Sequence, residues 1–594
     1  MLTWACRCLP GFSIIALALL LVLAFSDVLA SPRWNGMFLL PSYSPAKDGA
    51  WSSLSRAQQC FVVYAIIVHL HMFGFTLRLS WSLFRIFKKT KRAFERRIMP
   101  PVSPASSRSS SSRLSWSSHP DDSEKNPSES MLEKASVMVQ EMAEEQEVIH
   151  AIILPNYCED LNTLETTLKV LASHPRAQSQ YEVYLAMEQK EESAPEKASK
   201  LTAAFEKSFL HICSTFHPSG IQGEIAGKSS NVAFAARRIV EIHRADLKVE
   251  SCNVIVTVMD ADTHLSRDYF TEIRRMHYAH LSEAERSIYC CPIIFDRNSH
   301  ESPILVRCAD LLWGFAGLST MYPGSWLAIP TSVYSLPLSL AEKVGGWDSG
   351  PTAIGEDLHM LLKCYFETAG NVVSRVVYAP ASQCNVSSDR ARGWRWTLDT
   401  CRARYRQALR HMWGALDTGF AARRSIGYLR FDHRCLFLRP RHFLLLHLLW
   451  EAHFLPCHLV ILMVFSTAYT VFTSGTSVHP MVAWAFSVTN ILRTMGFLWM
   501  NLCLALYERW HALCLDTRMQ DMREARLADT GCSQRVWYQP TYLLERVCFP
   551  VAGTVFGAVP MLHAVVSHFW TDRLVYRVSK KPTFSSLVDG VLPV

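Results

Sequence analysis

From Ala452 to Leu492 the chain runs without one formal charge. A membrane-spanning helix takes about 20 mostly apolar residues, so the stretch predicts one span near 443–471 and another over roughly 481–506. The second encloses Arg493. An arginine at mid-membrane depth is costly, and a helix lying shallow at the interface is the alternative. Residues 8–26, 57–77 and 547–571 are also uncharged, the last interrupted by Pro550 and Pro560. Four or five spans are therefore expected. The first reads equally as a signal peptide, because Val28-Leu29-Ala30 before Ser31 fits a small-residue cleavage site. Lys88, Lys89, Lys91, Arg92, Arg96 and Arg97 follow the second span. The positive-inside rule puts that end in the cytosol.

Composition agrees with a membrane protein. Hydrophobic residues make up 49% of the 594 and charged residues 19%, against roughly 25% charged in a soluble domain. The net charge of +8 is too mild for a nucleic-acid partner. The 18 cysteines form no paired CxxC units, which argues against a zinc ribbon or a disulfide framework. Reduced thiols on a cytosol-facing protein are expected.

The texture divides the chain. Residues 1–87 are an N-terminal membrane region and 88–147 a basic, Ser-rich disordered linker. Residues 148–400 form the catalytic unit, 401–440 hold interfacial amphipathic helices, 441–571 carry two or three spans, and 572–594 are a tail. Within the catalytic unit, strand-like runs alternate with helical patterns. Val148–Leu154 precedes Leu161–Ala172, Tyr181–Met187 precedes Ser199–Phe216, and Val254–Met259 precedes Tyr269–Leu281. A further short strand is expected near Gly223–Ala226. This rhythm predicts an α/β fold with a mostly parallel sheet and helices on both faces.

Ligands of such sheets sit outside the carboxyl ends of the strands. Those ends read Pro155-Asn156-Tyr157-Cys158-Glu159, then Glu188, then Gly227-Lys228-Ser229-Ser230-Asn231, then Asp260-Ala261-Asp262. Each alone is more often a turn or cap residue; four on one edge make a site. Two carboxylates at i and i+2 suit a hard divalent cation, magnesium or manganese. Gly227-Lys228-Ser229 is not a phosphate-loop motif, since Gln222 stands where the first glycine belongs. Further on come Met321-Tyr322-Pro323-Gly324-Ser325-Trp326, Gly345-Gly346-Trp347-Asp348 and Gly355-Glu356-Asp357-Leu358-His359. Two acids opening a helix complement its dipole or serve as a general base.

Together these motifs resemble the family 2 glycosyltransferases of the inverting GT-A class, over about residues 148–413. The resemblance implies a Rossmann-like GT-A domain set between transmembrane helices. It implies a nucleotide-binding start at Pro155 and Glu159 and a nucleobase contact at Glu188, where the family usually has Asp. Lys228 and Asn231 match the lysine and asparagine that follow. Asp260 and Asp262 match the DXD pair that holds metal, and Gly324 and Ser325 resemble the acceptor-side turn. Glu356 and Asp357 match the ED motif, whose Asp is the catalytic base. Gln407 and Arg410 fit the QxxRW motif of cellulose, chitin and hyaluronan synthases, except that His411 replaces the tryptophan and Trp413 follows two positions later. Trp326 and Trp413 are the candidate platforms for an acceptor sugar. The spelling at His217–Gly220 and Gly227–Asn231 is similar to a fungal-type branch, which suggests cell-wall polysaccharide synthesis.

The implied partners are a UDP-linked nucleotide sugar, a glycan or lipid acceptor, and membrane lipids. The implied reaction is inverting transfer to a polysaccharide acceptor, with processive extension and translocation as one form of it. Transfer of one sugar to a lipid and a non-catalytic membrane scaffold are the alternatives. The compartment is open between plasma membrane and Golgi or endoplasmic reticulum.

Overall fold

A computed structural model describes residues 1–26, 51–98, 148–245, 249–388, 390, 392–430, 439–472, 478–527 and 539–574. Of the linker expected over 88–147, residues 88–98 are instead the last turns of the helix Arg56–Ile98; 99–147, the cleavage site at Val28–Ala30 and the tail from 575 lie outside the described residues.

Among the described residues, ten strands build two sheets: β1 (Ile149–Asn156), β2 (Tyr181–Glu188), β3 (His211–His217), β4 (Val254–Val258), β5 (His264–Leu265), β6 (Ser287–Cys290), β7 (Ile293–Phe295), β8 (Tyr334–Pro337), β9 (Val373–Val376) and β10 (Ala381–Gln383). The main sheet runs β3-β2-β1-β4-β8-β6-β9, and a small one runs β5-β10-β7. β8 is antiparallel to both its neighbours, and the other pairs of the main sheet are parallel. The parallel strands read as near-continuous apolar runs because both faces are covered. Successive side chains of β1 go to opposite faces. Ala151 and Ile153 join a core with Val232, Ala236 and Ile239 of the helix Lys228–Ala245. Ile152 and Leu154 join another with Leu164 and Leu168 of the helix Leu161–Ala172. Each of the buried Val, Ile and Leu side chains among them stabilises the fold by roughly 1.5–3 kcal/mol. Asp160 caps that second helix, accepting the Asn162 N–H at 3.1 Å.

One boundary differs from expectation. The helix expected over Ser199–Phe216 is Ala194–Phe205, and its second half is β3. Ile212 and Thr215 are β-branched and Phe216 is aromatic, which favours pleated backbone; pairing with β2 settles it. The strand expected near Gly223–Ala226 is a turn, with Gly220 and Gly223 at φ +80° and +89°. Glycine adopts that backbone at no steric cost.

Among the described residues, three helices are long and apolar enough to cross a membrane: Arg56–Arg97, Pro480–Glu524 and Pro540–Ser567. Pro440–His453 and Leu455–Val471 meet at 51° and make a fourth if they act as one bent span. Pro456 explains the break, since it cannot donate to the carbonyl one turn back. The expected first span is the helix Leu9–Ala24. Sixteen residues rise only about 24 Å, short of a hydrocarbon core of roughly 30 Å, so a fifth span is not supported. Arg493 lies within the continuous helix Pro480–Glu524 and donates to Asn490. The helix Pro540–Gly553 contains Pro550 and passes into a π-helical turn at Thr554–Ala558, a known response to a helix-interior proline.

Two of these helices outrun their apolar halves. Leu79, Leu83 and Ile86 of the first, with Cys503, Tyr507 and Trp510 of Pro480–Glu524, join the same core as β1. The apolar helices and the α/β unit therefore share one packed interior.

Candidate active site

Because β1, β2 and β4 run parallel, their carboxyl ends reach one edge. Asn156 pairs with Met187, and Ile153 with Val258. The loops beyond them open into a cleft with a cavity volume of about 210 Å³. Pro155 and Glu159 line it from the first loop, and Glu188 from the second. Lys228 and Asn231 enter from the first turn of their helix, and Asp260 and Asp262 from the end of β4. Glu356 and Asp357 face them from the start of the helix Glu356–Glu367, and Gln407 and Arg410 close the opposite wall from the helix Trp394–Met412.

Lys228 is the centre of the charge pattern. Its Nζ is 2.9 Å from Asp260 Oδ1 and 3.4 Å from Glu356 Oε2. These carboxylates outweigh the opposing effect of burial and keep the lysine charged. Burial pushes Glu356 up to about 7; Lys228 opposes this, while Asp357 and Asp260 add to it. Burial also raises Asp357, against Lys228 and the Leu358 N–H, which donates to Asp357 Oδ1 at 2.8 Å. Desolvation and like charge are the terms that tune a carboxylate toward base work. Dipole complementation alone would leave both acids in solvent; Glu356 is buried.

The cleft also holds buried acceptors without a partner: Asn156 Oδ1, Asn231 Oδ1, Glu356 Oε1 and Gln407 Oε1. Such atoms are unfavourable unless a donor or cation meets them. These atoms and the carboxylates of Asp260 and Asp262 are all oxygen, the donor type a hard divalent cation takes. Asn231 has a structural task too, since its Nδ2 donates to the Ala186 carbonyl at 2.7 Å.

Behind the acids lies a clamp absent from the expected site. His359 is buried between Asp417, at 2.6 Å from Nδ1, and Asp348, at 3.0 Å from Nε2. Lys363 Nζ donates to Asp348 at 2.5 Å. Burial works to lower His359, but Asp417 and Asp348 push it up to about 9. Gly355 abuts the same group, because a Cβ there would stand 3.3 Å from Asp417 Oδ2. Asp348 and His359 stand in the sequence motifs, yet nothing in their spacing shows that they meet.

Other expected residues sit elsewhere. Trp413 is buried away from the cleft; its indole N–H donates to the Asp572 carbonyl at 3.1 Å, and its ring meets His568 edge-on at 4.9 Å. Gly324 and Ser325 do not line the cleft. Gly324 holds a turn at φ +87°, Ser325 Oγ donates to the Leu327 carbonyl, and the Trp326 carbonyl accepts from Arg441. The tryptophan that lines the cleft is Trp313, 4.3 Å from His411 between ring centres. It stands three residues after Asp310 on the helix Ile304–Leu318, so both share a face. Glu188 is not free for a base alone: His217 approaches it at 3.2 Å and reaches Glu224 at 2.9 Å on its other side.

No curated protein matches the chain. Among solved structures, the mannosyltransferase PcManGT from Pyrobaculum calidifontis, in complex with GDP-Man and Mn2+, is similar at 13% identity and a TM-score of 0.37, over 73% of this chain and 97% of that one. Residues 255–488 match the family model described as glycosyl transferase family group 2. The match begins inside β4, ahead of Asp260 and Asp262, and takes in Glu356, Asp357, Gln407 and Arg410; this chain carries a glycosyltransferase domain that is similar, over that segment, to family group 2.

Proposed function

We propose that the protein moves a sugar from a nucleotide diphosphate donor to an acceptor hydroxyl at a membrane, inverting the anomeric centre. The observation that carries this reading is the convergence of Asp260, Asp262, Lys228, Glu356 and Asp357 on one cleft at the strand ends. Asp260 and Asp262 would hold a magnesium or manganese ion, which when bound neutralises a diphosphate. Lys228, and Arg410 across the cleft, place positive charge where the leaving group gains negative charge. Asp357 takes the proton from the acceptor oxygen as that oxygen bonds to the anomeric carbon. The bond from that carbon to the diphosphate oxygen breaks on the opposite side. A single displacement turns an α-linked donor into a β-linked product.

The finer reading is a UDP-linked donor and a glycan acceptor, with the catalytic unit in the cytosol. Trp313 offers the apolar face on which an acceptor ring stacks, in the place expected of Trp326 or Trp413. The helix Trp394–Met412, with Trp394 exposed and several arginines, suits a membrane interface.

The test is the full-length protein in detergent with a panel of UDP- and GDP-sugars, read as nucleotide released. One donor should release nucleotide in a divalent-dependent way. Asp357→Asn should keep nucleotide-sugar affinity and lose roughly 10²–10⁴-fold in transfer. Normal transfer by that variant would end its role as the base.

A further inference from the structure

Outside the cleft, one cluster of titratable side chains has no task in the reaction. His71, on the helix Arg56–Ile98, and His447 and Glu451, on Pro440–His453, bring one ligand atom each to within 4.8 Å of one another. The two imidazole rings stand 4.7 Å apart, and Trp450 closes on His71 edge-on at 4.8 Å. His71 Nε2 and Glu451 Oε1 are buried and have no hydrogen-bond partner. Their separation of 3.6 Å is too long for a bond between them. The Glu451 side chain is only 10% exposed. Its other oxygen accepts from Arg78 Nη2 at 2.6 Å, and Arg78 also donates to Ser319 Oγ at 3.4 Å.

We propose that His71, His447 and Glu451 form a binding site for a zinc-class divalent metal. Two imidazole nitrogens and one carboxylate oxygen are a zinc ligand set that leaves a fourth position open. Ligand atoms around tetrahedral zinc are about 3.3 Å apart at zinc–nitrogen distances of about 2.0 Å, so small side-chain rotations close the present spacing. Arg78 plays the outer partner that fixes the ligating carboxylate. It also brings positive charge beside the ion, and it leaves Glu451 Oε1 turned toward the histidines. The position gives the ion a use. One turn past Arg78, and about three past His71, Ser82 Oγ donates to the Leu318 carbonyl of the catalytic unit. A metal here would tie two apolar helices together at the seam where they meet that unit. The competing arrangement is metal-free, with a protonated His71 facing Glu451.

The experiment uses the full-length Asp260→Asn, Asp262→Asn protein in detergent, so that the cleft carboxylates do not contribute. After chelator treatment it is titrated with zinc, and metal per chain is measured once free ion is removed. Zinc should be retained, with affinity falling at least ~100-fold in His71→Gln and in His447→Gln, and roughly tenfold in Arg78→Lys. Cobalt in place of zinc gives a reading that needs no ligand variant. Visible bands without a thiolate charge-transfer band would place the ion on nitrogen and oxygen rather than on cysteine. No retained zinc, equal retention in His447→Gln, or a thiolate band would overturn the assignment.

Discussion

At the residue scale, Lys228 and Asp357 are coupled through space. The lysine opposes the rise that burial forces on the aspartate. The acid limb of the transfer rate should therefore lie above the ordinary aspartate value of about 3.9. Replacing Lys228 with Gln removes the charge that favours ionised Asp357, so the limb should move to still higher pH. Rate profiles from pH 4 to 8 at saturating donor check this, and an unmoved limb would separate the lysine from the base. Asp262 tests the cation site. Asp262→Asn should weaken divalent-dependent donor binding, read as donor affinity with and without the cation. Unaltered divalent dependence would leave the pair as turn residues.

At the element scale, the helix Glu356–Glu367 is placed by the buried His359 clamp, and its own first-turn dipole does not fix where its acids point. His359 has its value raised to about 9 in the fold, from an ordinary value near 6.5. A raised histidine binds its proton more tightly when folded. Its contribution is therefore fully present below about pH 6.5 and is lost as pH rises through about 9. Melting temperature should fall over that window in the wild type and fall less in His359→Gln. Asp417→Asn removes one partner of a buried pair and should cost about 3–5 kcal/mol, read by denaturant unfolding. The same helix shows what its sequence discloses. Its start after Gly355 and its acids are legible from pattern alone. The partner Asp417 lies 58 residues from His359, and no local periodicity reports a contact that distant. β3 is the opposite case: a strand pattern was present, but Ala194–Phe205 ran up to it and its edge pairing was needed to separate them.

At the scale of the whole molecule, orientation in the membrane remains to be read from the catalytic unit itself. The sequon Asn385-Val386-Ser387 is not a reporter. Asn385 is buried, and its Nδ2 donates to Asp310, so a glycan there would conflict with the fold. Cys158 is exposed beside the cleft. If the basic run Lys88–Arg97 faces the cytosol, as proposed, Cys158 should resist a membrane-impermeant maleimide in intact cells and react after permeabilisation. Cys158→Ser supplies the control, and labelling of intact cells would reverse the topology.

Period and charge were enough to determine the α/β class, the strands β1, β2 and β4, the helices Leu161–Ala172 and Tyr269–Ala279, and the acids and lysine at the strand ends, because those properties are local to a few residues. Uncharged length also located the apolar helices, but not their limits. The break at Pro456 and the shortness of Leu9–Ala24 depend on backbone geometry. Only the tertiary structure decided which groups share the cleft. It brought Trp313 in and left Trp413, Gly324 and Ser325 out. It also joined Asp348, His359 and Asp417 behind the acids, and His71, His447 and Glu451 at the seam. Each of these is a contact between segments far apart in the chain, set by how helices pack on the sheet and on one another. Spacing along the sequence carries no record of that packing.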